Sequence, residues 1–573
     1  MKLNLKTLFV GIVTATIPAG VIIGAVSDVE TFRGIPYADS PAGLERLKPP
    51  KRRLERLDNF NATLEPASCP QMNPDWTNVQ QNPEAVGAVP VIAGSPQYST
   101  TSSRESEDCL TLNIQRPRGT TEHDRLPVVF WIYGGGFLSG AAHRWDAALL
   151  MQLGQKRNQS FIFVAANYRV NGFGFLGGRQ IKEAGSSNLG LLDQRMGLEW
   201  VADNIGALGG NPDKVTVIGE SAGAMSTFDQ LVLFNGDATY NGKSLFHGAI
   251  MSSGNALPVD PIDSPRAQAI YDRVAARADC PPPNDTLDCL RRCDYKTLAA
   301  AFNAEPHIVF TYQSLVFPYL PRPDGKVLVD SPEAMVKNNQ YHAVPVMMGN
   351  QEDEATMFAF GQWNITSTDA LVTYFHETMF AHATKEEVSD FVQHYPEDSS
   401  AGSPFRTGGY WDKVYFKEVN GRNETSPGFK RVAAILGDVF FTLTRRLAVH
   451  YMVTRRPDIP VWSYMSSYDY VTGTFLPWLG TMHGSDLLRI FRPDQKDFSS
   501  RSTCTYWLNF IQNQNPNNGT GVGIGRGKFP YWPLWARGNK LLWFRRLRID
   551  LLADNFRSGS YKYMKANTST LYF

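Results

Sequence analysis

The chain has 573 residues, 43% of them hydrophobic and 12% aromatic, enough to bury a large core. Its formal charge is +1, with no basic stripe and no long run of one sign, which argues against a nucleic-acid partner. Composition fits a compact soluble protein acting on neutral ligands.

The N-terminus reads MKLNLKTLFVGIVTATIPAG. Lys2 and Lys6 supply a charged start, 8–13 a short apolar run, and Val13-Thr14-Ala15 the small residues at which a signal peptidase cuts. Residues 1–15 are therefore expected to be a signal peptide, and 16–573 the mature chain. Apolar character continues to Val26, but Pro18, Gly20 and Gly24 interrupt any single spanning helix. The stretch 20–24 (GVIIG) reads instead as a first strand. No other run is long and apolar enough to cross a bilayer, so no transmembrane anchor is expected.

Asn-x-Ser/Thr sequons occur at Asn61, Asn158, Asn284, Asn364, Asn423, Asn518 and Asn567. Together with the leader they point to a secreted, extracellular glycoprotein. Six cysteines, an even number, suit an oxidising compartment, although spacing alone does not choose their connectivity. A pairing of Cys69 with Cys109 would close a long loop, and one of Cys280 with Cys289 a short loop. The stretch 72–107 is polar and rich in Asn, Pro, Ser and Thr, with Val86, Val89, Val91 and Ile92 among its few apolar residues. Loops of that length are uncommon unless functional, and lids are one common use.

Strand-like runs follow at 127–133 (PVVFWIY), 161–168 (FIFVAANY), 214–218 (KVTVI), 245–251 (LFHGAIM) and 344–349 (VPVMMG). Helical stretches lie between them. In 188–205, Leu192, Met196, Trp200 and Ile205 recur at near-helical spacing, with Ser187 available as N-cap. Buried strands alternating with helices predict an α/β protein built on a large, open, mostly parallel sheet with helices on both faces. The close glycines of 521–527 (GVGIGRG) follow a Pro-Asn-rich turn and not a strand, so they read as a surface loop and not a dinucleotide site. There is no Cys/His cluster at zinc spacing, no P-loop and no HExxH; neither a metal nor a cofactor is expected.

The strongest local signal is 214–226, KVTVIGESAGAMS: a β-branched run, a G-x-S-x-G pentapeptide, then a helix-compatible stretch. That order is the nucleophile elbow of serine hydrolases. Gly219 and Gly223 flank Ser221 because a strand must turn sharply into a helix there, and a Cβ at either position would crowd the turn. A serine nucleophile needs a base, an orienting acid and oxyanion donors. Among ten histidines, His483 stands in a glycine-flanked loop (Thr481-Met482-His483-Gly484), whereas His123, His143, His376 and His450 lie in polar or helical contexts. Gln351-Glu352-Asp353-Glu354 follows a strand, where an acid is expected, but several carboxylates compete there. The chain order Ser221, Glu354, His483 is the one this fold uses. Gly134-Gly135-Gly136-Phe137 resembles the oxyanion loop of lipases, with Tyr133 where a histidine is usual. Ala222, next to the nucleophile, would add a further donor.

Four blocks carry a wider resemblance: 32–38 (FRGIPYA), 106–113 (SEDCLTLN), 131–137 (WIYGGGF) and 217–226 (VIGESAGAMS). The chain resembles type-B carboxylesterases, the cholinesterase-like α/β-hydrolases, and among them the fungal Candida rugosa-like lipase and sterol esterase branch. The resemblance spans residues 20–565 and implies an α/β-hydrolase fold. It places the acid of a D-E-G sequence on Glu354, with Ala355 replacing the glycine, the base on His483, and the oxyanion donors on Gly135, Gly136 and Ala222. It also implies the disulfides Cys69–Cys109 and Cys280–Cys289, the first closing a lid over 70–108. Cys293 and Cys504 have no family counterpart, and either pair together or stay free. The implied activity is hydrolysis of carboxylic esters through an acyl-enzyme, by a lipase acting on long-chain acylglycerols at an oil–water interface, with sterol esters as a second substrate. A carboxylesterase for soluble short esters is the alternative. From another class, a non-catalytic adhesion protein is disfavoured by the filled catalytic positions. Oligomeric state is not legible.

Overall fold

Runs of β-branched and aromatic residues that sequence marks as strands assemble into one thirteen-stranded sheet. The computed structural model describes residues 11–74, 104–283, 285–362, 364–406, 428–468 and 479–573. The sheet contains β1 (Gly11–Ile17), β2 (Gly20–Val26), β3 (Val29–Pro36), β4 (Leu57–Asn61), β5 (Thr111–Pro117), β6 (Leu126–Ile132), β7 (Ile162–Ala166) and β8 (Gly210–Glu220). A two-strand ribbon, β9 (Thr239–Tyr240) and β10 (Lys243–Ser244), stands apart from it. The sheet continues with β11 (Gly248–Ser252), β12 (Val346–Gln351), β13 (Val461–Ser467), β14 (Lys540–Arg545) and β15 (Ile549–Ala553). Strand order is β1-β2-β3-β5-β7-β6-β8-β11-β12-β13-β14-β15, with β4 beside β2.

From β7 across to β14 every pairing is parallel, while the flanking strands pair antiparallel except β4, which runs parallel to β2. The central strands β7, β11 and β12 are buried at every residue, as a sheet covered on both faces requires. Because β6, β8, β11, β12 and β13 run the same way, their C-terminal ends line one edge, and loops leaving that edge meet there.

Two local expectations are corrected. Ser187 does not cap the helix α1 (Leu189–Asn204). The N-cap is Asn188, in a left-handed conformation (φ 52°) without a side-chain cap. Its amide instead exchanges two hydrogen bonds with the backbone of Arg322, a long-range tie that overrides the local cap. GVIIG is a strand, as read, but lies in β2 and is preceded by β1, which pairs with it along its whole length. The cleavage point read after Ala15 falls inside β1, so a cut there would remove five of that strand's seven residues, Gly11 to Ala15.

Disulfides join Cys69 to Cys109 and Cys280 to Cys289. Cys293 and Cys504 are free thiols, so the pairing between them is not made. Most of the expected lid, 75–103, lies outside the described residues; its base is held by the first disulfide and by an ion pair of Arg46 with Glu107. The sequon asparagines Asn61, Asn158, Asn364 and Asn518 are exposed and Asn567 is half-buried, while Asn284 and Asn423 lie outside the described residues. Among the described residues no helix is long and apolar enough to cross a membrane.

Candidate active site

Strand β8 ends at Glu220 and helix α2 (Ala222–Gly236) begins at once, leaving Ser221 alone to make the turn. Its backbone is strained, at φ 59° and ψ −129°. A non-glycine residue holds such a conformation only where its surroundings impose it. They do so tightly. A Cβ on Gly219 would lie 2.1 Å from Gly223 O, and one on Gly223 would lie 2.0 Å from Ile132 O. The Ser221 N–H donates to Ser252 O of β11 at 2.9 Å, and Ser221 O accepts from Ala224 and Met225 N–H. The hydroxyl therefore stands at the positive end of α2.

The glycine loop after β6 abuts this turn. The point where a Cβ of Gly134 would sit is 2.8 Å from both Ser221 Cβ and Glu220 Oε2. Gly135 and Gly136 have φ of +108° and +65°, which glycine adopts readily. A Cβ on Gly136 would strike Ile308 Cδ1 at 2.0 Å. Among the described residues no hydrogen bond takes up the N–H of Gly135, Gly136 or Ala222. Donors left in this way beside a nucleophile are what an oxyanion hole needs. Tyr133, in the place where lipases often carry histidine, is structural: its ring stacks on Tyr168 at 4.4 Å, and each hydroxyl bonds the other's backbone.

Of the three neighbouring carboxylates, Glu354 is the one hydrogen-bonded to the His483 ring. Glu354 Oε2 lies 2.6 Å from His483 Nδ1, and its Oε1 accepts the Gln351 N–H at 2.6 Å. Asp353 holds the scaffold instead, accepting from Thr481 N, Phe405 N and Ser403 Oγ. It thereby ties the histidine loop to the acid loop. Burial pushes the Asp353 carboxyl up to about 6 despite those bonds. Glu352 turns away to pair with Arg406. Ala355, which departs from the D-E-G pattern, is buried, and the Glu354 side chain before it still bonds His483.

A carboxylate only accepts, so Nδ1 of His483 carries its proton toward Glu354, and the Nε2 lone pair faces the serine side. Nε2 is buried without a hydrogen bond, and Glu220 Oε1 lies 3.4 Å from it. The Ser221–His483 hydrogen bond is thus not closed in this arrangement; such bonds commonly tighten only with substrate. Glu220 packs against the same Gly134 position as Ser221 Cβ, so it stands between the glycine loop and the imidazole.

Glu220 and Asp486 have no role in the sequence reading. Glu220 stands in the quoted pentapeptide, but only the fold shows it facing the base. Asp486 accepts from Ser252 Oγ at 2.6 Å, linking the strand that anchors Ser221 to the histidine loop. Burial alone would lower the His483 pKa, but Glu220, Glu354 and Asp486 outweigh it and leave the imidazole above its usual value. The base must be neutral to accept a proton. Activity is therefore lost as pH falls through this raised value, and the acid limb of kcat/KM is expected above pH 6.5. Glu220→Gln removes one charge that favours imidazolium, so it should move that limb to lower pH; a pH–rate profile of both proteins checks the direction.

Sheet topology and the strained strand–serine–helix elbow define an α/β-hydrolase fold. The chain belongs to the carboxylesterase family, whose profile matches residues 12–544. It is 47% identical to the secreted triacylglycerol lipase LIP1 of Gibberella zeae, over 98% of this chain and 91% of that protein. It is 38% identical to lipase 4 of Diutina rugosa, over 98% and 97%. The crystal structure of EstA from Aspergillus niger superposes with a TM-score of 0.77, covering 98% of this chain and 99% of that one at 23% identity.

Proposed function

We propose that this protein is a secreted lipase that hydrolyses acylglycerols through an acyl-enzyme on Ser221. His483 takes the Ser221 proton while Glu354 holds the imidazole tautomer and stabilises its charged form. Ser221 attacks the ester carbonyl, and the oxyanion is held by the N–H groups of Gly135, Gly136 and Ala222. Loss of one such donor typically costs about 10²–10³ in turnover. His483 then protonates the departing alcohol, and a water activated by the same imidazole releases the carboxylic acid. No step calls for a metal or cofactor among these residues.

The observation that carries the reading is the Glu354–His483 pair, closed at 2.6 Å and set against a strained serine elbow. The fungal relatives named as lipases support the acylglycerol substrate. Export to the extracellular space is part of the proposal, as are the sequon glycans; removal of the leader upstream of Gly11 would keep β1 whole. Sterol esters rest on the family resemblance alone. Hydrolysis of triolein emulsion, cholesteryl oleate and p-nitrophenyl butanoate tests the substrate assignment. A rate that jumps when triolein passes its solubility limit is expected. Turnover confined to the soluble butanoate, with no jump at the emulsion surface, would make the protein a short-chain carboxylesterase instead.

A further inference from the structure

The last two strands of the sheet, β14 and β15, form an antiparallel hairpin whose turn is Arg546-Leu547-Arg548. From β8 through β11, β12 and β13 to β14 every pairing is parallel. The hairpin turn therefore projects from the same edge of the sheet at which Ser221 follows β8 and Glu354 follows β12. Leu547 at its tip is 77% exposed, a large apolar side chain that folding leaves in water. One such residue alone is ordinary. Around this one, charge and apolar surface are arranged together.

The stretch 545–550 (RRLRID) sets three arginines against one carboxylate, in a chain whose total formal charge is +1. Asp550 pairs with Arg545 at 3.3 Å and with Arg548 at 2.9 Å. Among the described residues no ion pair takes up Arg546, which is exposed. Register places Trp543 opposite Asp550 and Leu541 opposite Leu552, so Trp543, Arg545 and Leu552 share one face of the hairpin. Beside that face runs a groove of about 660 Å³, lined by Trp543, Leu552, Phe405, Phe556 and, from the acid loop, Glu352. Arg545 and Arg406 lie over the Trp543 ring, 4.4 and 5.2 Å from its centre. Phe556, 42% exposed, packs edge-on against Phe405 at 5.1 Å. Guanidinium groups ringing exposed leucine and aromatic side chains suit an apolar–water boundary. The rings and the leucine enter the apolar side, and the charged heads stay among polar groups.

We propose that the β14–β15 turn and the groove beside it dock the protein on an oil–water surface that carries ionised fatty acids. Docking there presents the site-bearing edge of the sheet to the substrate. The inference rests on the lipase reading, which supplies the surface charge: each ester cleaved leaves a carboxylate, and a long-chain acid stays at the boundary. It uses no residue of 70–108, so it is a contact additional to the expected lid.

The test is co-sedimentation with vesicles of phosphatidylcholine alone and of phosphatidylcholine mixed with oleate, in low salt and at a pH where the oleate is ionised. The unmodified protein should partition more strongly onto the oleate vesicles. Replacing Arg546→Gln and Arg548→Gln together should weaken that partitioning about 25-fold, at about fivefold per arginine, and leave the neutral vesicles unaffected. Leu547→Ser should weaken partitioning onto both kinds of vesicle about tenfold. The positions are exposed and their ion pairs are surface pairs of small value, so turnover of soluble p-nitrophenyl butanoate should be unchanged. Unaltered partitioning in both variants, or equal partitioning of the unmodified protein onto the two kinds of vesicle, overturns the docking surface and leaves the hydrolase reading intact. A dimer in solution that Leu547→Ser splits would assign the patch to a second copy of the chain and overturn it as well. An unmodified protein that turns over butanoate but not triolein overturns the lipase reading, and this proposal with it.

Discussion

Ser221→Ala is expected to lower kcat for ester hydrolysis by about 10⁵–10⁶-fold, the scale seen when the nucleophile of a triad is removed. The geometry makes the reason specific. The serine hydroxyl stands at the strained turn beside the glycine loop, and its carbonyl and N–H are committed to α2 and to Ser252. Alanine keeps the backbone bonds and the same Cβ, so the left-handed turn costs it about what it costs serine. Thermal stability should stay within about 1 kcal/mol of the starting protein. Measuring kcat beside a thermal melt separates the two effects. A folded variant that retains even a hundredth of the activity would assign the chemistry to another residue.

Glu354→Gln is the second large effect, at about 10⁴-fold in kcat, by analogy with the loss when a triad carboxylate becomes an amide. Glutamine keeps the volume, and its oxygen can still accept the Gln351 N–H. Its NH₂ would then face Nδ1 and donate to it, moving the imidazole proton to Nε2, where it blocks acceptance from Ser221. The loss should fall on kcat, with KM little changed, because substrate contacts are untouched. Asp353→Asn is the informative contrast: it loosens the anchor between the acid and histidine loops, and its effect should appear in stability before chemistry. Equal kcat losses in both variants would mean that Asp353 shares the acid role.

The elbow was legible in sequence because its requirements are local. Gly219, Ser221 and Gly223 sit within five residues, and the steric demand on each glycine arises from that turn and the strand beside it. The parallel sheet was legible for the same kind of reason: fully buried strands read as apolar runs. Residue patterns alone did not separate Glu354 from Glu352 and Asp353. Their roles depend on loop 479–486, far away in the chain, and on Arg406, which draws Glu352 aside. Only the family resemblance pointed to Glu354. Ser187 failed as a cap because Asn188 is held by Arg322, a contact spanning 134 residues.

The central claim is that Ser221 is activated by an imidazole and a carboxylate that reach it from distant loops. Covalent labelling by a fluorophosphonate, followed by peptide mapping, tests it most directly. The account predicts a single adduct on the peptide carrying Ser221, formed at least a thousandfold more slowly (~10³ or more) in folded His483→Ala. Label on a different serine, or an unchanged labelling rate without His483, would contradict it.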